Sequence, residues 1–442
     1  MRKIAFLLVF AALFSGCASG GARHQIEHLI GSGDCKAALR VMEESREDYG
    51  SNGRLLFLLD SAMVHMQCGR YESAQSFFRE AERTADRLWT ESISQNAASL
   101  LVNDYMRAYP GEDFERAMIH LMSAIGYLQM DEPEEALVEA RRLDTLLNVY
   151  NTKYVEKNVY KEDAFGRYLS GLLREDDNAP DDAFIDYLLA ARAYDEYEKA
   201  YGTRRPRFLE EDLSRLGKAV GRTADVEQVL GAVGADPPLA SLELKGKGKV
   251  VYIQFSGEAP EKVQDTVLVP TGRGPISLAF PKMIVRPPAC ADGRLSLRSG
   301  DVALEMDTEL VEDVNQIAVK NLDDRKGRII GRTLLRAAAK QIAIEGAATQ
   351  GDDETAETIR LILNMLNLFV ERADTRSWKT LPGEIHMARG YLPAGRYDVT
   401  LSRCGEDTVL VRSLRVAAGK TQYLFYDTRY GAASLRPKGE KR

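Results

Sequence analysis

Gly33-Asp34-Cys35-Lys36-Ala37-Ala38 lines up with Gly69-Arg70-Tyr71-Glu72-Ser73-Ala74: each is a glycine followed five positions later by an alanine, and the alanines stand 36 residues apart. That interval is close to the period of about 34 in tetratricopeptide repeats, where a small residue lets the second helix of a pair approach the first. Later counterparts are Ala136, in Asp131-Glu132-Pro133-Glu134-Glu135-Ala136, and Ala183, in Asp181-Asp182-Ala183. The uneven spacings predict a tetratricopeptide-like array whose later units carry inserted helices. Apolar residues around these anchors keep the helical i, i+3, i+4, i+7 pattern, as in Leu55, Leu58, Leu59 and Ala62, in Ala74, Phe77, Phe78 and Ala81, and in Phe184, Tyr187, Leu188 and Ala191. An all-α helical-repeat domain over 24–235 is therefore expected. Its units cannot bury their faces alone, so they must stack, and a curved groove suited to a peptide or helix results. Eight tyrosines between Tyr150 and Tyr201 suit a recognition surface, although Tyr187 and Tyr194 fall on the apolar stripe and read as core.

Past Asp236-Pro237-Pro238 the pattern changes, which makes 236–248 a linker and 249–430 an α+β domain. Strands are expected at 249–255, 266–269, 276–280, 283–286 and 302–306, followed by helices at 309–322, 329–345 and 354–371. Strands return at 384–389, 396–402, 409–417 and 422–426, with turns at Pro393-Ala394-Gly395 and Ala418-Gly419-Lys420. This closing stretch resembles a small β-sandwich module. The fold class is thus multi-domain, a tetratricopeptide-like helical domain followed by an α+β domain with β-sandwich-like C-terminal strands and a basic tail over 431–442.

The N-terminus sets the compartment. Arg2 and Lys3 precede an apolar run over 4–14, then Phe14-Ser15-Gly16-Cys17, the form of a secretory signal over 1–16. Eleven residues reach only about 16 Å as a helix, against a hydrocarbon core of roughly 30 Å, so the run does not span a membrane. The last four residues resemble a bacterial lipobox, with Phe14 in place of the usual Leu. Acylated Cys17 would hold the mature chain to lipid through a tether over 17–23, since two or more acyl chains anchor firmly. Ala18 and Ser19 follow it with no Asp beside the Cys, which favours the outer membrane. In an oxidising compartment Cys35, Cys68, Cys290 and Cys404 allow three pairings. The segregated choice, Cys35–Cys68 and Cys290–Cys404, is favoured over the others and over buried thiols.

Of the 442 residues, 45% are hydrophobic and 28% charged, an ordinary globular composition that excludes a collagen-like chain or a disulfide-dense miniature. The net charge of −7 argues against nucleic acid as main partner, yet it hides an asymmetry. Residues 17–240 carry 26 Lys/Arg against 40 Asp/Glu, and residues 241–442 carry 31 against 26. Halves of opposite sign are expected to dock on each other or to face different partners.

Chemistry is sparse. There is no G-x-S-x-G elbow, H-E-x-x-H pair or Walker loop. Gly272-Arg273-Gly274-Pro275 lacks the Lys-Ser/Thr that grips phosphate, and His24 and His28 have no third metal ligand in view. No enzyme activity, cofactor or metal is expected. The informative charge feature is a stripe: Arg328, Arg332, Arg336 and Lys340 recur every four residues and share one helix face. It suits phosphate or carboxylate partners, meaning anionic lipid headgroups, a glycan, or the acidic half itself. Trp378, in Arg376-Ser377-Trp378-Lys379-Thr380-Leu381-Pro382, reads either as a buried anchor or as an exposed contact for a partner.

The segment Glu115-Arg116-Ala117-Met118-Ile119-His120, with Tyr127-Leu128 and Glu135-Ala136-Leu137-Val138-Glu139-Ala140-Arg141-Arg142, resembles a family of proteobacterial lipoproteins. So do Ala279-Phe280-Pro281, the helix from Arg332-Thr333 to Lys340, and the Trp378 loop. The resemblance implies an outer-membrane lipoprotein with tetratricopeptide-like helices and no assigned activity, and an association with envelope assembly. The expected function is that of a lipid-anchored, periplasm-facing scaffold that recruits envelope proteins through its helical groove. The alternative is an accessory lipoprotein that binds cell-wall or surface glycan directly, and a hydrolase ranks below both.

Overall fold

Five left-handed backbone positions organise the helical half: Gly33, Gly69, Asp131, Asn178 and Gly221, with φ of 81°, 68°, 61°, 56° and 75°. At each, its N–H donates to the carbonyl three residues back and the next N–H to the carbonyl five back, as in Gly33 to Ile30 and Asp34 to Leu29. This geometry satisfies the last carbonyls of one helix and reverses the chain into the next. The computed structural model describes residues 18–94, 104–153, 160, 162–231, 244–270, 276–348 and 372–431. The signal peptide expected over 1–16, Cys17, the first part of the expected linker, the helix expected at 354–371 and the tail beyond Gly431 lie outside them.

The turns join five helix pairs: α1 (Ala18–Gly31) with α2 (Cys35–Glu44), α3 (Arg54–Gln67) with α4 (Tyr71–Ser94), α5 (Asp113–Gln129) with α6 (Pro133–Lys153), α7 (Ala164–Asp176) with α8 (Pro180–Tyr201), and α9 (Arg207–Ala219) with α10 (Thr223–Leu230). Five residues after each left-handed position comes the anchor, Ala38, Ala74, Ala136 or Ala183, every one fully buried. The fifth anchor is Val226, and the larger side chain conceals this unit from a search for alanine. Among the described residues the expected inserted α-helices are not seen; the segments between units hold only short 3-10 helices, Ser45–Tyr49, Ser51–Gly53 and Asp104–Met106. The first helices keep to 13–17 residues, while the second vary from 8 to 24 and take up part of the extra length.

The second half is built on two four-stranded sheets. The first has the order β10 (Thr421–Asp427), β1 (Lys247–Glu258), β7 (Pro382–Pro393), β6 (Glu309–Glu312), with β1 parallel to β10 and antiparallel to β7. The second is antiparallel, in the order β5 (Val302–Asp307), β4 (Arg294–Ser299), β8 (Gly395–Arg403), β9 (Glu406–Val416). A hairpin of β2 (Glu261–Val269) and β3 (Ile276–Ile284) and a long helix, α11 (Val314–Ala348), complete the described chain.

β1 is buried on both faces, which explains its near-continuous apolar run. Val251, Ile253 and Phe255 pack into one core with the helices, Leu381 and Met387, while Val250 and Tyr252 enter a second core with Leu295, Leu297, Val399 and Leu401. The layers are therefore helices, mixed sheet, antiparallel sheet. The first core runs without interruption from the helical half into the first sheet.

Three sequence expectations are corrected here. Residues 309–312 are an edge strand paired with β7, not the start of a helix. The helices expected at 309–322 and 329–345 are one helix of 35 residues, because Asp324 pairs with Lys320 one turn back and Gly327 and Gly331 are carried without a break. The strand expected at 283–286 is the end of β3, and β4 was not anticipated.

Candidate functional site

The five first helices share one face, and the chain's own sheet covers it. Arg23 on α1 bonds Glu258, Gln67 on α3 reaches Asp427, and Asp176 at the end of α7 accepts from Thr421 and Tyr423. The acids come largely from the helical half and the bases from the sheet half. Lys249 lies 3.1 Å from Glu175 and 3.6 Å from Asp176, and Arg389 lies 2.8 Å from Asp212. Burial pushes the Asp212 carboxyl up, but Arg389 and Arg215 more than offset it and hold the group below its ordinary range. The tyrosine cluster is spent in the same way: Tyr194 donates to the Val311 carbonyl and Tyr197 to Glu312, both on β6. The face expected to recruit a partner is thus filled from within.

Trp378 sits at this junction and is 1% exposed. Its backbone N–H donates to Glu115 Oε1 at 2.7 Å and its indole N–H to Thr380 Oγ1 at 2.9 Å; Thr380 in turn donates to Asp60 Oδ1. Phe78 meets its ring edge-on. Trp378 is an internal anchor and presents no surface to a partner. Burial raises Glu115 to about 7, although Lys262, Tyr109 and Trp378 pull it back toward the charged form. Sequence reading missed Asp60 and Glu115. The available signal was an acid set among apolar helix residues, as in Leu58-Leu59-Asp60-Ser61-Ala62.

A cleft of about 450 Å³ opens where α4, residues 107–113 and α5 meet α11, the β2–β3 hairpin and residues 372–376. Four arginines of α11 line it, Arg325, Arg328, Arg332 and Arg336, joined by Arg107, Arg372 and Arg376 from connecting segments and by Lys262 from β2. Among the described lining residues the acids are Glu91, Glu112, Asp113 and Asp374. Glu112 is engaged by Lys262 at 2.5 Å and by Arg325, and Asp374 by Arg376 at 2.8 Å. Of the predicted stripe, Arg328 and Arg332 are exposed at the cleft and Arg336 is 5% exposed within it. The Lys340 side chain lies outside what is described.

Cys35 bonds Cys68 and Cys290 bonds Cys404, with Cα separations of 5.5 and 5.9 Å. Among the described residues no group of three or more potential metal ligands occurs, and no helix is long and apolar enough to cross a membrane.

No protein-family model and no curated protein matches the chain. Among solved structures it is similar to a Podosopora anserina chain with nearly identical TPR-like repeats, at 12% identity and a TM-score of 0.30, over 49% of this chain and 92% of that one. At that score the likeness carries no weight, and the helix pairing rests on the turns described above.

Proposed function

We propose that the protein is a lipid-anchored scaffold of the bacterial outer membrane, held by acylated Cys17 and facing the periplasm, without catalytic activity of its own. In this reading the helices form a frame for the chain's own sheet, and contact with envelope partners passes through the outward surface around α11. The observation that carries it is the filled inner face: ion pairs and Trp378 occupy the groove that such helices would otherwise offer, while the arginine cleft stays open. In-cell crosslinking with mass spectrometry tests it. Partners should crosslink to residues around Arg328 and Arg332; crosslinks confined to other surfaces would overturn the reading. Cys17→Ser should move the protein from the membrane to the soluble fraction, and continued membrane fractionation would remove the anchor.

A further inference from the structure

We propose that the cleft beneath α11 is a binding site for a phosphate ester, with Arg328 and Arg332 gripping the phosphate at the mouth and Arg336 deeper inside. The proposal relies on the scaffold reading only for the protein's place in the cell.

The cleft differs from a broader basic depression of about 760 Å³ beside Cys404. There the cations are matched: Arg294 pairs with Asp307 at 2.6 Å, Arg205 with Asp195 and Glu210, and Arg403 donates to the Cys290 carbonyl. In the cleft, the acids Glu112 and Asp374 are engaged by Lys262, Arg325 and Arg376, and among the described residues no ion pair engages Arg328 or Arg332. Among the described residues the charges of Arg328 and Arg332 are therefore left to a ligand where α11 borders the opening.

Geometry favours phosphate over carboxylate. Four residues of helix rise about 6 Å and turn slightly past a full circle, so Arg328, Arg332 and Arg336 climb one side of the cleft in even steps. Each guanidinium offers a planar fork of donors. A carboxylate has two oxygens, which one fork satisfies, whereas an esterified phosphate presents up to three terminal oxygens that accept from several forks at once. Leu88, Trp89, Ala279 and Pro281, which also line the cleft, supply less polar surface for the organic part of the ester. Two sources share this chemistry, a phospholipid headgroup in a membrane and a soluble phosphate ester.

The test uses the full-length Cys17→Ser chain, so that no acyl group contributes. Calorimetric titration with glycerol 3-phosphate and sedimentation with phosphatidylglycerol vesicles probe the two sources at low salt. Saturable binding of either probe is expected, weakened at least tenfold by the double change Arg328→Glu with Arg332→Glu. The double Lys variant, which keeps the charge and loses the forks, should fall several-fold and serves if the Glu variant does not fold. Tighter binding to vesicles assigns the lipid headgroup, and tighter binding of glycerol 3-phosphate assigns a soluble ester. No saturable binding of either probe, binding unchanged in the Glu variant, or equal binding of glycerate would each overturn the proposal.

Discussion

Arg389 on β7 places Nη2 2.8 Å from Asp212 Oδ1 on α9, with the two side chains 3% and 0% exposed. The guanidinium also donates to the Phe208 carbonyl at 2.7 Å, and Arg215 approaches the same carboxylate at 3.0 Å. Water is excluded on both sides, so each charge depends on the other for compensation. Arg389→Leu leaves Asp212 buried with Arg215 as its remaining ion-pair partner and the Tyr168 hydroxyl as a donor, and should cost roughly 3–5 kcal/mol, measured by denaturant unfolding. Because the Asp212 carboxyl is held below its ordinary 3.8, its contribution is present above that pH and is lost as pH falls through the folded value. The acid limb of the stability profile should accordingly flatten in the variant.

Glu115 has the opposite sign. Its folded value of about 7 lies above the ordinary 4.5, so between those pH values the folded chain binds the extra proton. Stability from this group is full below pH 4.5 and declines as pH rises to about 7, by an amount on the order of 3 kcal/mol. Glu115→Gln should remove that decline. Melting temperatures across pH 4.5 to 8 that keep the same slope in the variant would show that another group is responsible.

Two glycines in helices should respond in opposite directions. A Cβ at Gly171 on α7 would run into the Tyr187 ring, whereas one at Gly331 on α11 meets nothing within 4 Å. Gly171→Ala should destabilise by roughly 1–3 kcal/mol, since overpacking outweighs the gain in helix propensity. Gly331→Ala should stabilise by up to about 1 kcal/mol. Thermal unfolding of the pair separates close packing from backbone entropy.

The two disulfides close loops of different length, with sequence separations of 33 and 114. Loop-closure entropy predicts losses of roughly 3–4 kcal/mol for removal of Cys35–Cys68 and roughly 4–5 kcal/mol for Cys290–Cys404. Paired Cys→Ala variants compared by unfolding in denaturant check the order. Alkylation of the oxidised protein should add no mass at these four residues.

What the sequence made legible was local. The alanine anchors, the double-faced apolar run of β1 and the turns at 393–395 and 418–420 all follow from near neighbours, and each stands in the structure. Residues 309–312 could not be assigned that way, because Glu-Leu-Val-Glu becomes a strand only through pairing with β7, far along the chain. Polar residues 323–328 look like an interruption, yet Asp324 pairs with Lys320 and Lys326 with Asp323 within one helix. The candidate site was legible in part: the spacing of Arg328, Arg332 and Arg336 placed them on one face, but the lining from α4 and the hairpin is purely tertiary. Trp378 shows the same limit, since a lone aromatic in a polar loop carries no mark of the buried Glu115 that holds it.

The parallel register of Lys249 opposite Thr421 sets an order of assembly. Helix pairs ordinarily form from neighbouring contacts and can condense as the chain emerges. Here the face of the first helices is completed only when β10 arrives beside β1, with Asp427 meeting Gln67 and Arg429 bonding the carbonyls of Thr380 and Leu381. A nascent chain therefore keeps its repeats unsealed until residues 421–427 have been made. A truncation that removes β10 should behave less like a loss of one strand than like a chain halted before its final, closing step.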